Sequence, residues 1–383
     1  MAKANPGGQI APEDVVGRDK LIEQIWDRLE QQCVLINAER RIGKTSVLKK
    51  MFAEPREGWF PIFQDLERIQ SQEEFAKEVF KITQTFLANW KKGRDAIRRI
   101  LETTKTEKID FGGRNWQELL EDAIKALVKE KSELRLVWFW DEVPYMIDNI
   151  RAKEGEQAAA QVLDMLRSLR QQFPNTRMVF TGSVGLHHVL NSIKSAHIAT
   201  EPVNDMYQIE VKPLLPEDAK DLATRLIAGE ELHCDNIDET ADAIANEVDC
   251  FPFYIHHVIC GLKIEGLEAS ADNAKSFVAQ KLIAPEDPWE FGHYRSRIPI
   301  YYSGAGDKEL VFLILDSVAS RDAISLDQLI KEISSQTDQV EKTNVLRLMR
   351  LLERDHYLSR TDKNEYQFRF QLIKRWWRLD RGI

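Results

Sequence analysis

Apolar residues in the first half of the chain follow two alternating rhythms. Short runs rich in β-branched and aromatic residues, Val34 to Ile36 behind Cys33, Trp59 to Phe63, Leu134 to Trp140 and Arg177 to Thr181, have the length of strands buried on both faces. Between them lie stretches with apolar positions three and four apart. Leu21, Ile22, Ile25, Trp26 and Leu29 make one such helical face, and residues 72–102, Trp116 to Lys131 and Ala158 to Gln172 make others. Gln208 to Val211, followed by Pro213, closes the series. This alternation predicts a doubly wound parallel α/β sheet. Residues 103–115, with Gly112-Gly113 and little periodicity, read as an exposed insertion.

From Pro216 the pattern turns helical only, with helices near 238–248, 252–265 and 271–283, a small lid. Residues 308–319, 325–335 and 340–355 give three further helices, the last with a buried stripe of Val345, Leu348, Met349 and Leu352. Tyr357 to Ser359 and Tyr366 to Phe370 then alternate around the turn Thr361-Asp362-Lys363-Asn364, as a β-hairpin does. Three helices and a hairpin predict a winged helix. The expected domains are residues 1–213, 214–300 and 301–383.

Chemistry enters where the first strand runs into a polar loop and then a helix, CVLINAERRIGKTSVL over Cys33 to Leu48. A phosphate chain needs inward backbone N–H groups, a helix N-terminus, a lysine for its outer oxygens and a hydroxyl for magnesium. Gly43, the helix opening at Lys44, Lys44 itself and Thr45 supply these in order. The glycine that usually opens such a loop is Ala38 here. The run Leu134 to Trp140 stops at Asp141-Glu142, two acids at the carboxyl end of a buried strand, where an open α/β sheet keeps its ligand crevice. Asp141 can hold magnesium through its water shell, and Glu142 can take a proton from an attacking water. The plainer alternative is an acidic helix cap. The fold class expected is thus a P-loop α/β sheet with a helical lid and a C-terminal winged helix.

Composition narrows the partners. The chain has 383 residues, 43% apolar and 30% charged, which suits two or three globular domains. Lys plus Arg number 53 against 62 acids, a net charge of −9, so nucleic acid could be held only by a local patch. Two patches qualify. Lys91, Lys92, Arg94, Arg98 and Arg99 cluster in one helix, and Arg347, Arg350 and Arg354 align opposite the stripe of helix 340–355, near Lys363, Arg369, Lys374, Arg375 and Arg378. Such a stripe can track the phosphates of duplex DNA, and it can equally be a solvated helix face. Cys33, Cys234, Cys250 and Cys260 lack CxxC spacing, which points to reduced thiols in the cytoplasm without a zinc site. The adjacent pairs His187-His188 and His256-His257 lie about 100° apart on a helix and cannot share a metal. The first residues, MAKANPGGQIAP, have no signal-peptide core, and no apolar run reaches the length of a membrane span.

In this order the pieces resemble the STAND branch of P-loop ATPases, most closely the archaeal-type ATPase family. The resemblance rests on Val16-Gly17-Arg18, on Arg40 to Ser46 (Arg-Arg-Ile-Gly-Lys-Thr-Ser), on Asp141-Glu142 and on Thr181-Gly182-Ser183. Phe251-Pro252-Phe253-Tyr254 in the lid and Arg375-Trp376-Trp377-Arg378 near the end add to it. It covers nearly the whole chain from residue 15. It implies ATP or ADP and Mg2+ as ligands, with Val16, Gly17, Arg18, Ala38, Glu39, Arg40, Arg41, Ile42, Gly43, Lys44, Thr45, Ser46 and Pro252 around the nucleotide. Thr45 and Asp141 would hold the metal, Glu142 and Lys44 would act in hydrolysis, and Ser183 would report the outer phosphate. Two departures stand out. Ala38 and Cys250 replace glycines of the pattern, and residues 184–209, where related ATPases carry an arginine finger, contain no arginine. Phe253 stands where those relatives carry a second sensing arginine.

Three readings follow: a slow, ATP-dependent conformational switch with nucleotide between sheet and lid, a DNA-acting ATPase that uses its winged helix, and a nucleotide-binding scaffold. Glu142 argues against the third. A protein partner or a second copy of the chain fits the first.

Overall fold

The computed structural model describes residues 2–89, 115–130, 135–182, 185–195, 201–302, 304–337 and 341–383. They gather into two compact units. One comprises residues 19–40 and 44–211, and the other residues 1–18, 41–43 and 212–383.

The first unit is built on five parallel strands, β1 (Val34–Ala38), β2 (Trp59–Asp65), β3 (Arg135–Asp141), β4 (Thr176–Thr181) and β5 (Tyr207–Val211), in the order β2-β3-β4-β1-β5. The chain leaves β1 for the far edge and returns through β3 and β4, so β4 lies between the two strands that carry the motifs. Register pairs Ile36 with Thr181 and Asp65 with Asp141. Successive side chains alternate between faces. Phe139 therefore meets Trp26 of α1 (Asp19–Leu29), with ring centres 6.0 Å apart, while Trp140 meets Phe75 of α3 (Gln72–Asn89) on the other face at 5.5 Å. Trp138, Phe139, Trp140 and Phe180 are fully buried, and the indole N–H of Trp140 donates to Gln64 at 3.2 Å. Burying one such aromatic stabilises by roughly 1.5–3 kcal/mol, which fixes the strand ends that carry the acids. The remaining helices of the unit among the described residues are α2 (Lys44–Ala53), α4 (Trp116–Glu130), α5 (Val143–Glu154), α6 (Glu156–Gln172) and α7 (Leu186–Ser195). The basic cluster Lys91 to Arg99 and the insertion's Gly112-Gly113 lie outside the described residues.

The second unit holds α8 (Pro216–Gly229), α9 (Ile237–Glu247), α10 (Pro252–Ile264) and α11 (Ala271–Ile283). Pro216 and Pro252 sit in first turns, where no intrahelical N–H bond is lost, and Asn236 and Ser270 cap α9 and α11. Short α12 (Gly292–Ser296) and α13 (Ile298–Tyr301) lead to the winged helix. It comprises α14 (Asp307–Ala319), α15 (Leu326–Ser334), α16 (Lys342–Arg354) and the antiparallel pair β6 (Leu358–Arg360) and β7 (Tyr366–Phe368). A last helix, α17 (Gln371–Arg381), carries Leu372, Ile373, Trp376 and Trp377 inward.

That helix joins lid to winged helix. The Asp249 carboxylate accepts the Leu372 N–H at 2.6 Å at its start, and Arg375 pairs with Glu247 at 2.7 Å. Trp376 stacks on Phe291 at 5.8 Å, and Trp377 stacks on Phe312 at 5.9 Å while donating to Asp316. Arg297 adds a second junction, donating to the Tyr357 hydroxyl at 2.7 Å and the Asp355 carbonyl at 3.0 Å. The N-terminal segment belongs here too. The Ala4 N–H donates to Glu230 at 2.8 Å, and the Asn5 N–H donates to Nδ1 of His256 at 3.1 Å. No helix among the described residues is long and apolar enough to cross a membrane.

Candidate functional site

The carboxyl ends of β1, β3 and β4 bring the acids and hydroxyls together. Thr45, in the first turn of α2, donates its hydroxyl to Oδ2 of Asp141 at 2.6 Å, and Thr181, the last residue of β4, donates to Oδ1 at 3.3 Å. Asp141 is 2% exposed, and burial raises its pKa against the opposing pull of the Thr45 hydrogen bond and the Lys44 charge. Lys44 is buried as well. Its ammonium donates to the carbonyls of Ala38 at 3.3 Å and Glu39 at 2.9 Å. Burial lowers its pKa, while Glu142, Glu39 and Asp141 act to raise it, so the lysine sits among three carboxylates. The buried Glu39 carboxylate also accepts the Arg40 N–H at 2.8 Å, and the Arg40 side chain is exposed. Ser46 follows in the first turn of α2, half-buried.

Glu142 is shaped by its backbone. It starts α5 in the left-handed region, at φ 58° and ψ 36°, a conformation costing a non-glycine residue on the order of 1 kcal/mol. Pro144 and Gly182 pack beside it. A Cβ on Gly182 would fall 2.4 Å from Cδ of Pro144 and 3.6 Å from Oε2 of Glu142, so only glycine lets β4 end this close to the acid. Thr181 and Gly182 stood in the sequence as a strand-end motif, with no role at the site assigned to either. Their signal was the Thr-Gly pair at a strand end, but which strand it would abut depends on sheet order. Ser183 lies outside the described residues.

The rest of the loop, Arg41 to Gly43, groups with the other unit. Gly43 has φ 96°, which favours glycine, and a Cβ there would meet only Pro252, at 3.9 Å. Arg18, 6% exposed, donates to the carbonyls of Ile42 at 2.8 Å and Lys212 at 2.9 Å, and burial lowers its pKa to about 10. Gly17, after half-buried Val16, has φ 67°, and a Cβ on it would strike Asp218 at 2.6 Å. Arg41, itself left-handed at φ 68°, sends its guanidinium over the Phe253 ring and onto Glu290. Pro252 opens α10.

The donor set fits a divalent cation accompanying phosphate. Thr45 and Asp141 are hard oxygen ligands already within a hydrogen bond of each other, and magnesium prefers one or two carboxylates plus phosphate and water. The first turn of α2 opens at Lys44 and Thr45, and a helix N-terminus suits an anion.

The basic residues of the winged helix are divided. Arg347, Arg350 and Arg354 are exposed on one face of α16, with Arg347 bonded to Asp307 at 2.5 Å and to Asn344. Lys374 is buried beside Asp322 at 3.3 Å, and Arg375 is engaged by Glu247.

The strand order, the loop ahead of α2 and the acids ending β3 define the fold of a P-loop nucleotide-hydrolase core carrying a helical lid and a winged helix. Solved structures share it. The Walker-type ATPase of Pyrococcus abyssi matches with a TM-score of 0.68 and 17% identity over 98% of each chain. The Aeropyrum pernix ORC2 protein, solved as ADPNP-ADP complexes, matches with a TM-score of 0.55 and 11% identity over 99% of this chain and 96% of that one. The resemblance drawn from the motifs is met at the level of fold. No protein-family model and no curated protein sequence matches the chain.

Proposed function

We propose that this protein binds ATP with magnesium, hydrolyses it slowly, and uses the nucleotide's state to set the conformation of its helical unit. The observation that carries this reading is the 2.6 Å hydrogen bond from Thr45 to Asp141, which joins the phosphate loop to the acidic strand end across 96 positions of chain. The Pyrococcus abyssi protein's description as a Walker-type ATPase, and the ADPNP and ADP of the Aeropyrum pernix protein, support it.

In this reading Lys44 exchanges the two loop carbonyls for the outer phosphates, a stronger partner for a buried ammonium. Thr45 and Asp141 would hold magnesium. When bound, the metal neutralises charge on the outer phosphate oxygens. Thr181 holds Asp141 in orientation. Glu142, aimed by its left-handed backbone, accepts a proton from the attacking water. Residues 184–209 offer no arginine to stabilise the transferring phosphoryl group, a contribution that can be worth about 10³–10⁵ in rate, so turnover is slow without a partner. The test is Lys44→Ala. Loss of one charge-assisted contact should weaken binding of a labelled ATP analogue about ten- to a hundredfold with the fold retained. Unchanged binding would defeat the assignment.

A second reading is favoured by the exposed Arg347, Arg350 and Arg354, which could carry duplex DNA phosphates. It requires DNA affinity that falls with salt and is lost when all three become alanine.

A further inference from the structure

Arg41 carries the wrong contacts for a phosphate ligand. Its Nη2 lies 2.5 Å from the Glu290 carboxylate, Nη1 donates to the Trp289 carbonyl, and the guanidinium carbon sits 4.2 Å above the centre of the Phe253 ring. Its side chain is 11% exposed. The receptor is itself built for the purpose. Glu290 adopts φ 52°, and the turn that imposes this is held by Asp287, whose carboxylate accepts the N–H groups of Phe291 and Gly292, both at 2.7 Å. Phe253 is backed by His257, ring centres 4.4 Å apart, and Trp289 is 1% exposed. Of the two following residues, Ile42 gives its carbonyl to Arg18, and Gly43 lies near Pro252. Three consecutive loop residues are thus seated in the helical unit, whereas Arg40 and Lys44, which flank them, group with the sheet.

We infer that Arg41 is a positioning residue, a strap by which Phe253, Trp289 and Glu290 fix the backbone of the phosphate loop and through which loop occupancy and the helical unit influence each other. An arginine fork satisfied by a carboxylate, a carbonyl and a ring face is geometrically specific, and lysine cannot reproduce it. Releasing the strap frees a backbone that Arg41 otherwise holds at a left-handed φ. The nucleotide part of this inference rests on the reading above. The strap does not.

The test therefore has two arms. Without nucleotide, amide hydrogen exchange over residues 39–46 of the full chain should speed by about tenfold or more in Glu290→Ala and in Arg41→Lys. Glu290 is 58% exposed, so its truncation should not unfold the chain. Unchanged exchange in both variants overturns the strap. In the second arm, labelled ATP is bound to Arg41→Ala, Glu290→Ala and the double variant. A strap predicts changes of the same sign in both singles, larger in Arg41→Ala, and a double variant no different from Arg41→Ala, because the Glu290 contact is already lost with the arginine. Weakened binding in Arg41→Ala with unchanged or tighter binding in Glu290→Ala makes Arg41 a phosphate ligand and overturns the inference. Failure of the parent protein to bind ATP would defeat the nucleotide reading alone, with the exchange arm still deciding the strap.

Discussion

At the scale of single residues, the site turns on groups that touch Asp141 and Glu142. Glu142→Gln keeps size and removes the base, so steady-state turnover should fall by roughly 10²–10⁴ while ATP stays bound. Turnover at the parent rate would reassign the base. Gly182→Ala should act on the same step from the other side, because its Cβ would meet Pro144 at 2.4 Å and displace the start of α5. It should lower turnover more than nucleotide affinity, as separate measurement of the two would show. Thr181→Val removes one of two donors to Oδ1 of Asp141, which keeps the Glu142 N–H at 3.2 Å, and should cost about 0.5–1.5 kcal/mol in chemical denaturation. That Lys44, Thr45, Asp141 and Glu142 would come together was legible in the sequence because each belongs to a short local pattern. Thr181 and Gly182 were visible as a motif but their roles were not, since these come from β4 lying beside β3. Arg41 read as a loop residue like its neighbours, and only the fold shows Glu290, distant in sequence, holding it.

At the scale of elements, helix α10 and the end of α9 carry the pH dependence. Burial lowers His256 and His257 to about 4, with Arg41 adding to the effect on His257 and Asp14 and Glu290 opposing weakly. The folded state therefore refuses protons that the unfolded chain takes up near 6.5. The stability these neutral rings confer is present above about pH 6.5 and lost as pH falls toward 4. Asp249 works the other way. Burial raises it to about 6, so its protonation favours the folded state below that pH, and this contribution is lost as pH rises through 6. Two histidines outweigh one acid, and thermal stability should fall from pH 7 to 4.5. The fall should be steeper in Asp249→Asn and shallower in His257→Gln, as calorimetry across that range would show. Strands β1 to β4 and the winged-helix elements were legible to within a residue or two, from runs and periods in the sequence. Helix α17 was missed although Leu372, Ile373, Trp376 and Trp377 keep helical spacing, because its interleaved arginines and lysine read as a basic tail.

At the scale of the whole molecule, the proposed function couples slow turnover to a responsive helical unit. Specific ATPase activity should be low and independent of protein concentration. A steep rise with concentration would mean that a neighbouring copy supplies the missing charge. Stimulation by duplex DNA that vanishes in the Arg347, Arg350 and Arg354 triple alanine variant would establish the second reading. ATP should raise the melting temperature, and EDTA should remove most of that shift if Thr45 and Asp141 hold magnesium. Because Asp249, Arg297 and Arg375 tie lid to winged helix, protection from proteolysis on adding ATP should appear across residues 212–383 together.

The helical unit draws on residues 1–18 and 41–43 as well as on residues 212–383, so its parts are synthesised far apart in time. Domains generally fold as the ribosome releases them, N-terminal first. All five strands are complete once Val211 emerges. Yet Ala4 and Asn5 find partners 226 and 251 residues later, at Glu230 and His256, and Arg41 must wait for Glu290. Ala4 and Asn5 therefore settle only after α10 is made, and a nascent chain halted before Glu290 would carry the five strands with an unfastened phosphate loop.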